Sequence, residues 1–284
     1  MLFALLRWFN WSKFTLIFEE TETRPLRTKL RNRVEAEGAT FKMNEAHYVR
    51  PGNARCVTAS PNRPECDYHY LSELIQRTKD DTRIYVFMGD VTNLSRFVFG
   101  LAAMGLTKHG EYKVIYITTD HSLIERGFND EYRQFSSSTD WARYGYNMGA
   151  EHTLAILPRR PRGAIKDEEF ETVVTNYNKE APFRLRSPSS FGAKYISIYA
   201  YYLYDALITW ANAVTELRAA GREDWTKGKV VAGHIRNMSA IPSLTGINLL
   251  LEKDGTVVGE YELLSFTKPL SPESEMGYFD VIGR

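Results

Sequence analysis

The chain has 284 residues, enough for one large domain or two modest ones. Apolar residues make up 43% and charged residues 25%, so a real core can form, while 36 basic against 35 acidic side chains give no electrostatic case for nucleic acid or an anionic membrane as partner. Its six histidines are scattered without ligand spacing, so the sequence points to neither a metal nor a cofactor.

In chain order, Met1-Leu2-Phe3-Ala4-Leu5-Leu6 is apolar, but Arg7 ends the run. No basic region precedes it and no small-residue cleavage site follows, so it reads as a helix end feeding a strand, with Met1 internal to a longer chain. Lys13 to Phe18 is a β-rich run typical of a buried strand. Pro25 opens a basic helix that runs to about Glu37, with Gly38 placed as a C-cap. Thr40 to Val49 is extended. Cys56 and Cys66 flank Pro61 and Pro64 in a stretch with neither helical nor strand period, read as a loop. The two cysteines would close a nine-residue loop as a disulfide, or stand as unrelated thiols; spacing leaves both open. Leu71 to Arg77 reads as a helix.

The clearest pattern follows. Arg83 to Met88 is a strand closed by Gly89-Asp90, and Leu94, Phe97, Val98, Leu101 and Ala102 carry the spacing of an amphipathic helix that ends at Gly105. Val114 to Ile117 is the next strand, so the segment is a βαβ unit and implies a parallel sheet. Residues Asp120 to Tyr146 read as polar and irregular, and His152 to Leu157 returns to strand before a basic loop at 158–162. Phe170, Val173, Val174 and Tyr177 share a helical face. Ile196, Ala200, Leu203, Leu207, Trp210, Val214 and Leu217 form the longest stripe, predicted to be a core helix capped at Gly221. The stripe is long enough to span a bilayer, but Asp205 in its middle and the many tyrosines favour a core helix. Gly246 to Leu251 and Thr256 to Leu264, flanking Asp254-Gly255, predict a hairpin.

No phosphate-binding loop, dinucleotide fingerprint, zinc-protease motif or nucleophile elbow occurs, and no catalytic residue is assigned. Three sequons are present, at Asn10-Trp11-Ser12, Asn93-Leu94-Ser95 and Asn237-Met238-Ser239. Together with the cysteine pair they tilt the reading towards an extracellular location. Asn93 falls at a helix start, where an N-capping asparagine is the competing explanation.

Several segments together resemble a known family. Leu6 to Phe14 is similar to the entry to the second lobe of type I periplasmic-binding-protein-like receptor domains, and Arg83 to Ile117 to that lobe's βαβ. Tyr204-Asp205-Ala206-Leu207, Val214-Thr215-Glu216, Ile235-Arg236-Asn237-Met238-Ser239 and Leu244-Thr245-Gly246 resemble natriuretic-peptide and receptor-type guanylate cyclase ectodomains, with Ala240 at the family's aromatic position. The resemblance implies an α/β fold of three-layer parallel-sheet lobes. On this reading residues 12–160 are mainly the second, membrane-proximal lobe. Residues 161–284 are its remainder, the hinge return and part of an incomplete first lobe.

It further implies a dimeric single-pass receptor at the cell membrane, with this segment on the extracellular side, binding a peptide or small ligand and driving cyclic GMP synthesis elsewhere in the parent chain. The implied ligand contacts are Glu45, His47 and Tyr48, with Tyr48 as an aromatic anchor. The same resemblance places Asn237 at the family's hinge sequon. A class C or ionotropic glutamate-type receptor on the same fold is the alternative, as is an α/β enzyme, for which no reactive constellation is found.

Overall fold

Strand β1 (Lys13–Glu19) is buried at every position after Lys13, the pattern of a strand covered on both faces. Its neighbours explain why. The computed structural model describes residues 1–19, 24–48, 65–118, 123, 127–134, 149–159, 167–182, 184, 198–238, 260–267 and 278–283. These divide into two units: residues 1–158 with 261–284, and residues 159–260.

The first unit is built on a seven-stranded sheet. Its strands are β1, β2 (Lys42–Tyr48), β3 (Ile84–Met88), β4 (Lys113–Ile117), β5 (Thr153–Pro158), β6 (Tyr261–Thr267) and β7 (Tyr278–Gly283), in the order β2-β1-β3-β4-β5-β6-β7. The first five are parallel; β6 and β7 add on antiparallel. Parallel strands need crossover connections, and these are helices: α1 (Leu2–Trp8) precedes β1, α2 (Arg24–Ala36) joins β1 to β2, α3 (Glu65–Thr78) leads to β3, α4 (Val91–Ala103) to β4, and α5 (Phe128–Gln134) lies between β4 and β5.

Alternation along the strands sorts the core into two layers. Phe14, Leu16, Phe18, Val86, Met88, Ile115 and Ile117 pack with Leu2 and Leu6 of α1 and with Leu30 and Val34 of α2. Ile17, Tyr85, Phe87, Val114 and Tyr116 pack with Leu71, Leu74 and Ile75 of α3, Leu94, Phe97, Val98 and Leu101 of α4, and Phe128 and Tyr132 of α5. The result is a three-layer α/β/α unit. The connection from β1 to β2 moves one way along the sheet and that from β2 to β3 moves back past β1. With crossovers of one hand, that reversal sends α2 to one face and α3 to α5 to the other.

The helix ends follow the sequence signals. Asp90 caps α4, its Oδ1 accepting from Asn93 N at 2.7 Å. At the other end Gly105, at φ 73°, lets its own N–H reach Ala102 O and that of Leu106 reach Leu101 O. At the far edge, Asn129 of α5 acts as a surrogate strand: its Nδ2 donates to Phe279 O at 3.1 Å and its Oδ1 accepts from Phe279 N at 2.7 Å. The Phe279 ring meets Phe128, Tyr132 and Phe266 edge-on at 5.0, 5.0 and 5.4 Å, which fastens β7 to the core.

The second unit contains α6 (Asp167–Lys179), α7 (Ile198–Ala219) and α8 (Gly228–Asn237). Its small core is Ala213, Val214, Leu217 and Val231. Phe170 of α6 packs on Tyr201 and Tyr204 at 4.8 and 5.2 Å, and Tyr201 Oη donates to Glu171 Oε1 at 2.9 Å. Gly221, at φ 72°, terminates α7 as its position predicts. Among the described residues no helix is long and apolar enough to cross a membrane.

Three expectations are corrected and a fourth is left mostly untouched. Helix α3 starts at Glu65, so Cys66 lies in a helical turn rather than a loop. A helix, α5, occupies part of the stretch read as irregular, and β7 was not anticipated. On α7 the expected stripe is buried only at its carboxyl end: Val214 and Leu217 are buried, whereas Leu203, Leu207 and Trp210 are exposed and Tyr201, Asp205 and Thr209 are buried in their place. The expected hairpin lies mostly outside the described residues; of its second strand, positions 261–264 fall in β6.

Candidate functional site

In an open parallel sheet the place where the strand order reverses leaves a crevice beyond the carboxyl ends of the two strands concerned. Here those strands are β1 and β3. Beyond them lie Glu19, which ends β1, and Gly89 and Asp90, which connect β3 to α4.

Glu19 is buried, as is Tyr48 at the carboxyl end of β2, and Tyr48 Oη donates to Glu19 Oε2 at 3.4 Å. The Tyr48 ring stacks on Phe87 at 5.7 Å between centroids. Gly89 is required by this packing, because a Cβ there would sit 2.1 Å from Tyr48 Oη. From the neighbouring strand Tyr116 Oη donates to Gly89 O at 3.0 Å, so two tyrosine hydroxyls flank one glycine. Asp90 uses its second oxygen to accept from Asn93 Nδ2 at 2.9 Å, and Asn93 Oδ1 accepts from Arg96 Nη1 at 3.3 Å. The group offers carboxylates, hydroxyls and a guanidinium. The aliphatic hydroxyl of Ser95 is committed to Thr92 O at 2.9 Å. Such an array is suited to binding and orientation.

The structure does not bring the three residues expected to contact ligand onto one face. Side chains at successive strand positions point to opposite faces, so Glu45 and His47 lie on one face of β2 and Tyr48 on the other. Glu45 forms a bidentate pair with Arg31 of α2, at 2.9 and 2.7 Å, and that hydrogen-bonded carboxylate raises the Arg31 pKa above its ordinary value. His47 is exposed, 6.2 Å from the Phe18 ring, and Arg27 lies over that same ring at 4.4 Å. Tyr48, expected as an aromatic anchor, is 4% exposed and packs into the switch-point group against Glu19 and Phe87. The signal for this was available: adjacent strand residues cannot share a face. Glu19, Gly89 and Tyr116 were not singled out, since a glutamate ending a strand becomes meaningful only once the strand order is known.

The sequons also separate. Asn93 is 0% exposed and is the third residue of α4 rather than its cap, which is Asp90. Asn237 is exposed at the end of α8, with Nδ2 donating to Gly233 O at 3.1 Å. Asn10 is exposed in the turn after α1. Cys56 lies outside the described residues, so the cysteine pairing does too. Among the described residues no cluster of three or more His, Cys, Asp or Glu could hold a metal ion.

With this geometry in hand, comparison with known proteins is informative. The receptor family ligand binding region matches residues 1–268. The chain is 28% identical over 284 residues to the receptor-type guanylate cyclase Gyc76C of Drosophila melanogaster, covering 93% of this chain and 18% of that protein. It is 21% identical to guanylate cyclase 32E of the same fly over 281 residues, covering 96% of this chain and 20% of the relative. It is 25% identical to the speract receptor of Strongylocentrotus purpuratus over 218 residues, covering 68% and 19%. The chain thus spans about a fifth of the length of these curated relatives. The mostly parallel seven-stranded sheet agrees with the periplasmic-binding-protein-like type I fold of that family. On this match and this architecture, the chain belongs to the receptor family ligand-binding region, alongside the receptor guanylate cyclases.

Proposed function

We propose that the chain is the extracellular ligand-binding segment of a single-pass receptor guanylate cyclase. Its ligand is a peptide, and binding changes how two such segments sit together and so drives cyclic GMP synthesis by the intracellular part of the parent. The first unit serves as the membrane-proximal lobe and the second contributes to the membrane-distal lobe. The observation that carries this reading is the family match over residues 1–268 together with relatives named as guanylate cyclases and as the speract receptor. The switch-point group adds physical support, since it presents binding chemistry.

Within the first unit, the surface of β2 and α2 supplies the peptide contacts, through His47 and the Glu45–Arg31 pair. The test replaces the ligand-binding region of a receptor guanylate cyclase with this chain and measures cyclic GMP against secreted peptides and against free amino acids. A rise driven by a peptide, weakened about tenfold or more by His47→Ala, supports the reading; tenfold corresponds to about 1.4 kcal/mol of binding. A rise driven by free amino acids and indifferent to His47→Ala would move the function to a glutamate-type receptor.

A further inference from the structure

The turn after α1 gathers features that neither the fold nor the switch-point group uses. Trp8 ends α1 and is 84% exposed, the most exposed large apolar side chain among those described. Phe9 is 47% exposed and stacks on Trp11, with centroids 4.6 Å apart and planes 19° apart. Between them Asn10 adopts φ 56°, the left-handed conformation that asparagine tolerates better than other residues with a Cβ. Its backbone N–H is spent on Arg7 O at 3.0 Å, and that of Trp11 on Leu6 O at 2.8 Å, so the turn is fixed by the main chain. Asn10 is exposed, and its side chain makes no hydrogen bond to a described residue. Ser12, exposed two positions on, completes the acceptor tripeptide.

We propose that Asn10 carries an N-linked oligosaccharide whose first sugars lie over the exposed Trp8 and Phe9 rings, beside the half-buried Trp11 on which Phe9 stacks. The modification rests on the extracellular reading above. In the transfer, Asn10 Nδ2 loses one proton and forms an N–C bond to the anomeric carbon of the sugar. The bond from that carbon to the diphosphate of a lipid carrier breaks, and the diphosphate leaves with the electron pair.

The comparison among sequons singles out this site. Asn93 cannot carry a glycan in this fold, because its amide is fully buried and donates to Asp90. Asn237 is exposed, but its amide donates back into its own helix. Exposed aromatic surface is otherwise a liability in a secreted chain, and the apolar faces of sugar rings are a cover that needs no partner protein.

The test secretes the full chain from animal cells behind a cleavable leader and reads site occupancy by mass spectrometry of glycopeptides. Asn10 is expected to be occupied in most molecules and Asn93 in none. Ser12→Ala, which leaves the Asn10 turn intact, is expected to abolish the Asn10 glycan. Enzymatic removal of the glycan is expected to lower the melting temperature by roughly 3 °C in the parent chain and by less than half as much in Trp8→Ala. Secreted chain occupied at Asn237 but not at Asn10 would overturn the inference and leave the extracellular reading standing. No occupancy at any sequon would overturn the inference and count against that reading as well. An occupied Asn10 whose glycan removal shifts parent and Trp8→Ala equally would overturn the covering role.

Discussion

Gly89 has no side chain because Tyr48 fills the space one would take, with its hydroxyl 2.1 Å from the ideal Cβ position. Gly89→Ala is expected to cost about 2 kcal/mol by forcing Tyr48 off Phe87 and Glu19. Tyr48→Phe in the same chain should recover part of that loss, because the clashing atom is the hydroxyl. Urea unfolding of the two single variants and the double variant checks both statements. Tyr85 offers a second test at this scale. Burial, only partly offset by its hydrogen bond to Thr78, raises its pKa to about 12 from an ordinary 10. The unfolded chain therefore releases this proton first as pH rises. Stability tied to Tyr85 is fully present below pH 10 and falls by about 2–3 kcal/mol as pH climbs towards 12. That component should vanish in Tyr85→Phe when unfolding is followed across the range. Residue identity alone did not reveal these roles. Glu45, His47 and Tyr48 looked like one contact set in sequence, yet the pleat sends the first two to the α2 face and the third into the core against Phe87.

Among the elements, α4 was legible because its apolar spacing and its Gly105 stop agree, although its cap is Asp90 and not the Asn93 that the sequence offered. Helix α7 was legible as a helix but not in its facing. Its sequence has apolar residues nearly all round, so periodicity could not choose between a face containing Leu203, Leu207 and Trp210 and one containing Tyr201, Asp205, Thr209 and Ala213. The structure buries the second. Leu217→Ala is accordingly expected to destabilise the second unit by about 3 kcal/mol, and Leu207→Ala to stay within about 0.5 kcal/mol, as judged by thermal unfolding of each variant. Equal losses at the two positions would contradict the observed facing. Strand β7 escaped sequence reading for a different reason. Its hold on the sheet depends on Asn129, 150 positions away in sequence, whose side chain supplies both a donor and an acceptor to Phe279.

For the whole molecule, alternation of short apolar runs with amphipathic helices gave the parallel α/β architecture, since parallel strands require crossovers and crossovers here are helical. Strand order is a long-range property that no local pattern encodes. With it came the site: the reversal at β1 brings Glu19, Tyr48, Gly89, Asp90 and Tyr116 together from four separate stretches of chain. The family match extends over both units, while the relatives are about five times longer than the matched region. The proposal accordingly assigns the cyclase activity to a part of the parent outside the matched region. Determining the sequence of the parent transcript on both sides of residues 1–284 tests that claim most directly. A transmembrane segment followed by kinase-like and cyclase domains is the expected result. Seven transmembrane helices or a channel domain in that position would contradict it.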